Sequence, residues 1–187
     1  MEKLHTLRGH ASDLRAIPTG DEAAFSNPLM GEILQAIGTK CEIYDREWDS
    51  LTIDPPNLLT VSNDRRSGLY VGLHIDYWDA LPLEKRQLSR SRLCVNIGNT
   101  KRYFLLVNLT IAQMLELLES KGDQAELIEP AHIGQRFLVE NPGYPVIRLR
   151  IEPGEAYLAP TENMLHDGSS HLIMVATEHV AVQGHIY

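Results

Sequence analysis

The chain has 187 residues, 43% of them hydrophobic, which is enough to bury the core of one domain and too few for two comfortable ones. Its net charge of -8 argues against nucleic acid and anionic membrane as main partners. The two cysteines, Cys41 and Cys94, form no CxxC and no spaced framework, so they read as free thiols in a reducing compartment.

No apolar run follows the charges of Met1-Glu2-Lys3, so no signal peptide is expected. No apolar stretch approaches membrane-spanning length. The expectation is a soluble cytoplasmic protein of one domain. Residues 1–67 form its helical and mixed part, and residues 68–187 its β core. Asn27-Pro28 reads as a helix start, with Asn27 as cap and Pro28 in the first turn. Leu29, Ile33, Leu34 and Ile37 give that helix an apolar stripe, and Gly38 a stop. Short strand-like pieces follow at Cys41–Tyr44 and Leu58–Ser62, then a turn cluster from Asn63 to Gly68.

Gly68 to Asp79 reads as a strand. Leu69, Val71, Leu73 and Ile75 fall on one face, and Tyr70, Gly72, His74 and Asp76 on the other. The first face is apolar and suits a layer of helices. The second carries an imidazole and a carboxylate on one side, behind a glycine that lets something approach the backbone. A His-x-Asp pair is two-thirds of the 2-His-1-carboxylate triad that binds Fe(II) with open positions.

Asp79 to Ser91 is a charged loop holding Pro82. Arg92 to Ile97 alternates again, with Arg92, Cys94 and Asn96 sharing a face. Gly98-Asn99-Thr100 signals a tight turn, so Arg102 to Asn108 reads as the strand returning from a hairpin. Thr110-x-x-Gln113 is a capping box, and Met114, Leu115, Leu117 and Leu118 fill a helix to about Lys121. Residues 123–144 carry no clear period. Strands are then expected at Val146–Ile151, Glu155–Ala159, His171–Thr177 and Val180–Ile186. A short helical front followed by many short strands suggests a mostly β fold with flanking helices, a double-stranded β-helix or cupin-type jelly roll.

The candidate third ligand is His166, which follows the Pro160 loop, with His171, His179 and His185 as rivals. From Gly68 to about Thr177 the chain resembles the Fe(II)/2-oxoglutarate-dependent oxygenases, with the cupin-like, jumonji-type members nearest in layout. The residues that carry the resemblance are His74-Ile75-Asp76, the Pro153-Gly154-Glu155 turn with Pro160, and His166. It implies that His74, Asp76 and His166 hold Fe(II). It also implies 2-oxoglutarate and O2 as cosubstrates, with oxidation of an unactivated carbon coupled to succinate and CO2 release.

The far carboxylate of 2-oxoglutarate needs a cation, and the planar fork of arginine matches it bidentately. Many members of the family carry that arginine after the last histidine. This chain has neither Arg nor Lys between His166 and Tyr187. Jumonji-type members take the cation from the strand after the His-x-Asp element, which points to Arg102, with Arg92, Arg148 and Arg150 as alternatives. Tyr70, Arg92 and Asn96 are candidates for substrate contact, and Trp78 for the wall of the mouth. Thr161, Glu162 and Asn163 stand near His166 and are candidates for orienting it or the substrate. The chain's small size suggests a small soluble substrate, such as an amino acid or a biosynthetic intermediate. A metal cupin without 2-oxoglutarate usually carries His-x-His and a Glu, and this sequence has His-x-Asp instead. A jelly roll that binds a ligand without catalysis is the other alternative.

Overall fold

Two antiparallel sheets face one another across the interior of the computed structural model, which describes residues 32, 35, 42–64, 66–120 and 132–186. Side chains at 47–50 are outside the description. The first sheet has the order β1-β7-β2-β5, with β1 Ile43–Asp54, β2 Ser91–Asn96, β5 Ala156–Ala159 and β7 Thr177–Ile186. The second has the order β4-β3-β6, with β3 Arg102–Thr110, β4 Ile147–Ile151 and β6 Met164–Ser169. This is a jelly-roll arrangement, as the strand spacing predicts.

Two helices cover the outer face of the second sheet. Helix α1, Ile111–Glu119, starts at the expected capping box: Thr110 Oγ1 accepts from the Gln113 N–H, and the Gln113 side chain accepts from the Thr110 N–H. Helix α2 spans Ile133–Glu140, inside the stretch where the sequence shows no clear period. Met114, Leu118 and Phe137 pack on Val107 of β3 and Leu165 of β6. Burying each such side chain contributes roughly 1.5–3 kcal/mol. Phe104, Leu106, Ile151 and Ala159 fill part of the space between the sheets.

A close approach joins α2 to β6. A Cβ at Gly134 would lie 2.4 Å from Leu165 Cδ2 and 2.8 Å from its Cγ, and Leu165 is fully buried. Gly134→Val should therefore overpack this contact and cost about 1–3 kcal/mol. A thermal melt checks this, and an unchanged midpoint would show that β6 yields freely at Leu165.

Four expectations need correction. Gly68–Asp79 is not a strand, because Gly72 adopts φ +78° and breaks the alternation. Only isolated bridges form there, at Asn63–Tyr70 and His74–His166. As a result Leu69 is 70% exposed and Val71 44%, while Leu73 and Ile75 do pack on the helix cluster. The segment Leu58–Ser62 is irregular, although its backbone bonds to Gly168 and Ser170. Residues 171–176 form a turn with Leu172 at φ +62°, and the strand in this region is β6.

The fourth correction concerns β2 and β3, which do not form a hairpin. The first pairs with β5 and β7, the second with β4 and β6. Residues 97–101 cross from one sheet to the other. The Asn96 amide fixes that crossing by donating to the carbonyls of Thr100 at 2.9 Å and Ile151 at 3.0 Å. The helix expected from Asn27 lies, apart from helical residues 32 and 35, outside the described residues.

Candidate metal centre

His74 and His166 face each other across a bridged pair. The His74 N–H donates to the His166 carbonyl at 3.0 Å, and the His166 N–H returns to the His74 carbonyl at 2.9 Å. An antiparallel pair of this kind sends both side chains to the same face. The ring centroids are 4.7 Å apart. Asp76 returns to that face two residues later, its N–H held by the Thr161 carbonyl at 3.1 Å.

The ligand atoms converge. Asp76 Oδ1 is 3.5 Å from His74 Nε2, and Asp76 Oδ2 is 3.6 Å from His166 Nε2. The three residues offer donor atoms that all lie within 4.8 Å of one another. Each imidazole is oriented from behind. His74 Nδ1 lies 2.8 Å from the Gly72 carbonyl and His166 Nδ1 3.3 Å from that of Met164. With those nitrogens protonated, both Nε2 atoms present lone pairs to one point. His166 Nε2 is buried and has no hydrogen-bond partner among the described residues. A buried, unpartnered imidazole nitrogen is costly unless something binds it. The donor set of two imidazoles and a carboxylate fits a divalent transition metal.

The electrostatics favour the ligand forms for two of the three. Burial alone would raise the Asp76 carboxyl, but His74 and Arg92 outweigh it and hold Asp76 far below the usual carboxylate range. Burial pushes His166 down to about 4, so it is neutral at pH 7. Burial works against a charge on His74, yet the neighbouring Asp76 raises it above its ordinary value.

A shell of buried charge holds the segment that follows the candidate ligands His74 and Asp76. Glu162 Oε1 accepts from the N–H groups of Trp78 at 3.0 Å and Asp79 at 2.7 Å. Its other oxygen pairs with Arg86 Nη1 at 3.0 Å, and both side chains are buried. Arg86 also lies 4.5 Å over the Tyr77 ring.

The triad opens into a cavity of about 550 Å³ between the sheets, which Arg92, Trp78, Arg102, Cys94, Asp54, Tyr157 and His179 also line. Arg102 points inward with Phe104 and Leu106, because the three alternate along β3. Its guanidinium passes over Gly168, where a Cβ would sit 2.8 Å from Nη2. Gly168 is two residues beyond His166 on β6, which is about 7 Å along a strand. Arg102 donates from Nη2 to Asp54 Oδ2 and from Nη1 to Cys94 Sγ, each at 3.0 Å, and its Nε is buried without a partner among the described residues.

The expected substrate contacts divide. Arg92 lies in the cavity, 3.0 Å from Asp76 Oδ2 and 5.8 Å over the Trp78 ring. Trp78 is half exposed at the rim. Asn96 is outside the cavity, its amide spent on the crossing between sheets. Tyr70 is also outside it, because the Gly72 kink turns its neighbourhood toward solvent. Of the rival histidines, His171 lies in the turn after β6. His185 Nε2 lies 3.1 Å from the Leu88 carbonyl. His179 is in the cavity, but beside Asp54 rather than beside Asp76. Asp54, Tyr157 and Cys94 around Arg102 are residues the sequence does not single out. Only Cys94 carries a signal, since it shares the Arg92 face of β2.

No known family model matches the chain, and no curated protein matches it in sequence. Solved structures do. One is the Kdo hydroxylase KdoO, a non-heme Fe(II) alphaketoglutarate dependent dioxygenase in complex with succinate and Fe(III), at TM-score 0.50 and 12% identity, covering 88% of this chain and 64% of that one. The apo structure of KdoO matches at TM-score 0.50 and 12% identity, covering 89% of this chain and 65% of that one. The fold is shared. The chain spans just under two thirds of the length of the KdoO structures. Among the described residues no helix is long and apolar enough to cross a membrane.

Proposed function

We propose that this chain is an Fe(II)- and 2-oxoglutarate-dependent oxygenase that acts on a small soluble metabolite. The observation that carries the reading is the convergence of His74, Asp76 and His166 on one point of a cavity that also holds an inward arginine. In it, His74 Nε2, an Asp76 carboxylate oxygen and His166 Nε2 hold the iron, and Arg102 neutralises the far carboxylate of 2-oxoglutarate. Bound together, iron and 2-oxoglutarate supply O2-dependent oxidation of an unactivated carbon, with release of succinate and CO2.

The protein's own share is binding and exclusion. Arg92 offers positive charge beside Asp76, and the Trp78 ring offers an apolar wall at the rim. The shared fold of KdoO, whose structure holds succinate and Fe(III), supports the reading of the cavity as a site for a diacid beside a metal.

The test is succinate formation from 2-oxoglutarate by the purified protein with Fe(II) and ascorbate. The wild-type chain should form succinate. His74→Ala, Asp76→Ala and His166→Ala should each lose iron while keeping their far-ultraviolet dichroism. Iron retained by His166→Ala would move the third ligand elsewhere. No succinate from iron-loaded wild type would end the oxygenase reading.

A further inference from the structure

The arginine fork at the inner end of the cavity already holds a carboxylate of the chain. Asp54 ends β1 and is buried. Its Oδ2 lies 3.0 Å from Arg102 Nη2, accepts from Thr177 Oγ1 at 3.3 Å, and sits 3.3 Å from His179 Nδ1. The other terminal nitrogen of Arg102 donates to Cys94 Sγ. Tyr157, from β5, lines the same end. The charges in the cavity are therefore paired off, Arg92 with Asp76 and Arg102 with Asp54.

An incoming diacid meets a guanidinium with one carboxylate already on it. Two carboxylates crowded onto one cation repel, and the enclosed setting weakens the screening that would relieve them. Asp54 keeps partners when it leaves the fork, since the Thr177 hydroxyl and the His179 ring, both on β7, already lie 3.3 Å from the same carboxylate oxygen.

We propose that Asp54 is an internal competitor for the Arg102 fork, so that a dicarboxylate binds by displacing it. This rests on the assignment of the cavity to 2-oxoglutarate. Asp54 then sets selectivity. A dicarboxylate held at the metal as well can win the exchange, whereas an acid with no metal-binding end cannot. Asp54 is a positioning residue in this scheme, and its removal strengthens cosubstrate binding.

The test is calorimetric titration of wild type and Asp54→Asn, loaded with Mn(II), using 2-oxoglutarate and 2-oxopentanoate. The second ligand has the same keto acid end and lacks the far carboxylate. Asp54→Asn should bind 2-oxoglutarate about tenfold more tightly than wild type, and 2-oxopentanoate equally. A second measurement needs no folded variant at Asp54. In wild type, the Arg102 guanidinium ¹⁵N–¹H signals, assigned by their loss in Arg102→Gln, should shift with 2-oxoglutarate and not with 2-oxopentanoate.

A folded Asp54→Asn that binds 2-oxoglutarate no more tightly than wild type overturns the proposal, as do Arg102 signals that stay fixed at saturation. In either case a wild type that still binds 2-oxoglutarate leaves the oxygenase assignment standing. If neither protein binds 2-oxoglutarate, both readings fall together.

Discussion

Arg86→Ala is expected to cost about 3–5 kcal/mol of folding stability, because it leaves the buried Glu162 carboxylate without its cation. Glu162 would keep only the N–H groups of Trp78 and Asp79. A double-mutant cycle separates the pair from its burial. Arg86→Met with Glu162→Gln should recover much of the loss, since the amide oxygen can still accept both N–H groups and no charge is stranded. Urea unfolding of Arg86→Ala and of the cycle's four proteins, wild type, Arg86→Met, Glu162→Gln and their double variant, measures this. A loss below about 1 kcal/mol for Arg86→Ala would mean that water reaches Glu162. Because Glu162 holds the two residues that follow the Asp76-Tyr77 pair, the same single variant should also weaken metal binding while His74 and Asp76 remain unchanged.

Stability of the metal-free protein should fall by on the order of 3 kcal/mol between pH 6.5 and pH 4, through His166. Burial holds His166 at about 4, against about 6.5 in an unfolded chain. Between those values the unfolded state binds the extra proton, so stability rises with pH. It is fully present above pH 6.5 and lost as pH falls toward 4. The size follows from roughly 2.5 pH units at about 1.36 kcal/mol each. His179, also pushed down by burial, adds in the same direction. His74 is shifted the other way, so its contribution is lost at higher pH, above 6.5. Asp54 and Asp76, held below the ordinary carboxylate range, act only in stronger acid. Urea titrations at pH 7, 5.5 and 4.5 on wild type and His166→Gln test this. Equal slopes in the two proteins would show that His166 is not the source.

The candidate ligands were legible in the sequence for a local reason. Residues two apart share a side in any extended chain, so His74 and Asp76 stay together even though Gly72 removes the strand around them. The faces of Leu69 and Val71 were not legible, because one left-handed glycine undoes a period-2 pattern upstream of it. Arg102 could be read as inward since β3 is regular. Its sheet could not, because Gly98-Asn99-Thr100 has the composition of a hairpin turn and serves instead as a crossing. Strand β6 was hidden by its own content, since Asp167 and Gly168 are poor strand formers held there by Leu105 and Phe104 of β3. Asp54 was out of reach for a global reason. It meets Thr177 across 123 residues of chain, and only the register of β1 on β7 brings them together.

The position of β7 has a consequence for how the molecule comes into being. It is the last described strand and lies inside its sheet, between β1 and β2. A chain leaving the ribosome therefore makes β1, β2 and both histidines of the triad before it makes the strand that joins the first two. Until Thr177–Ile186 emerges, β1 has no described partner, and Asp54, Thr177 and His179 cannot meet. The second sheet and its helices can assemble earlier, since β3, β4 and β6 precede β7. Closure of the first sheet is then a late, non-local event of the kind that slows folding and exposes strand edges while it waits.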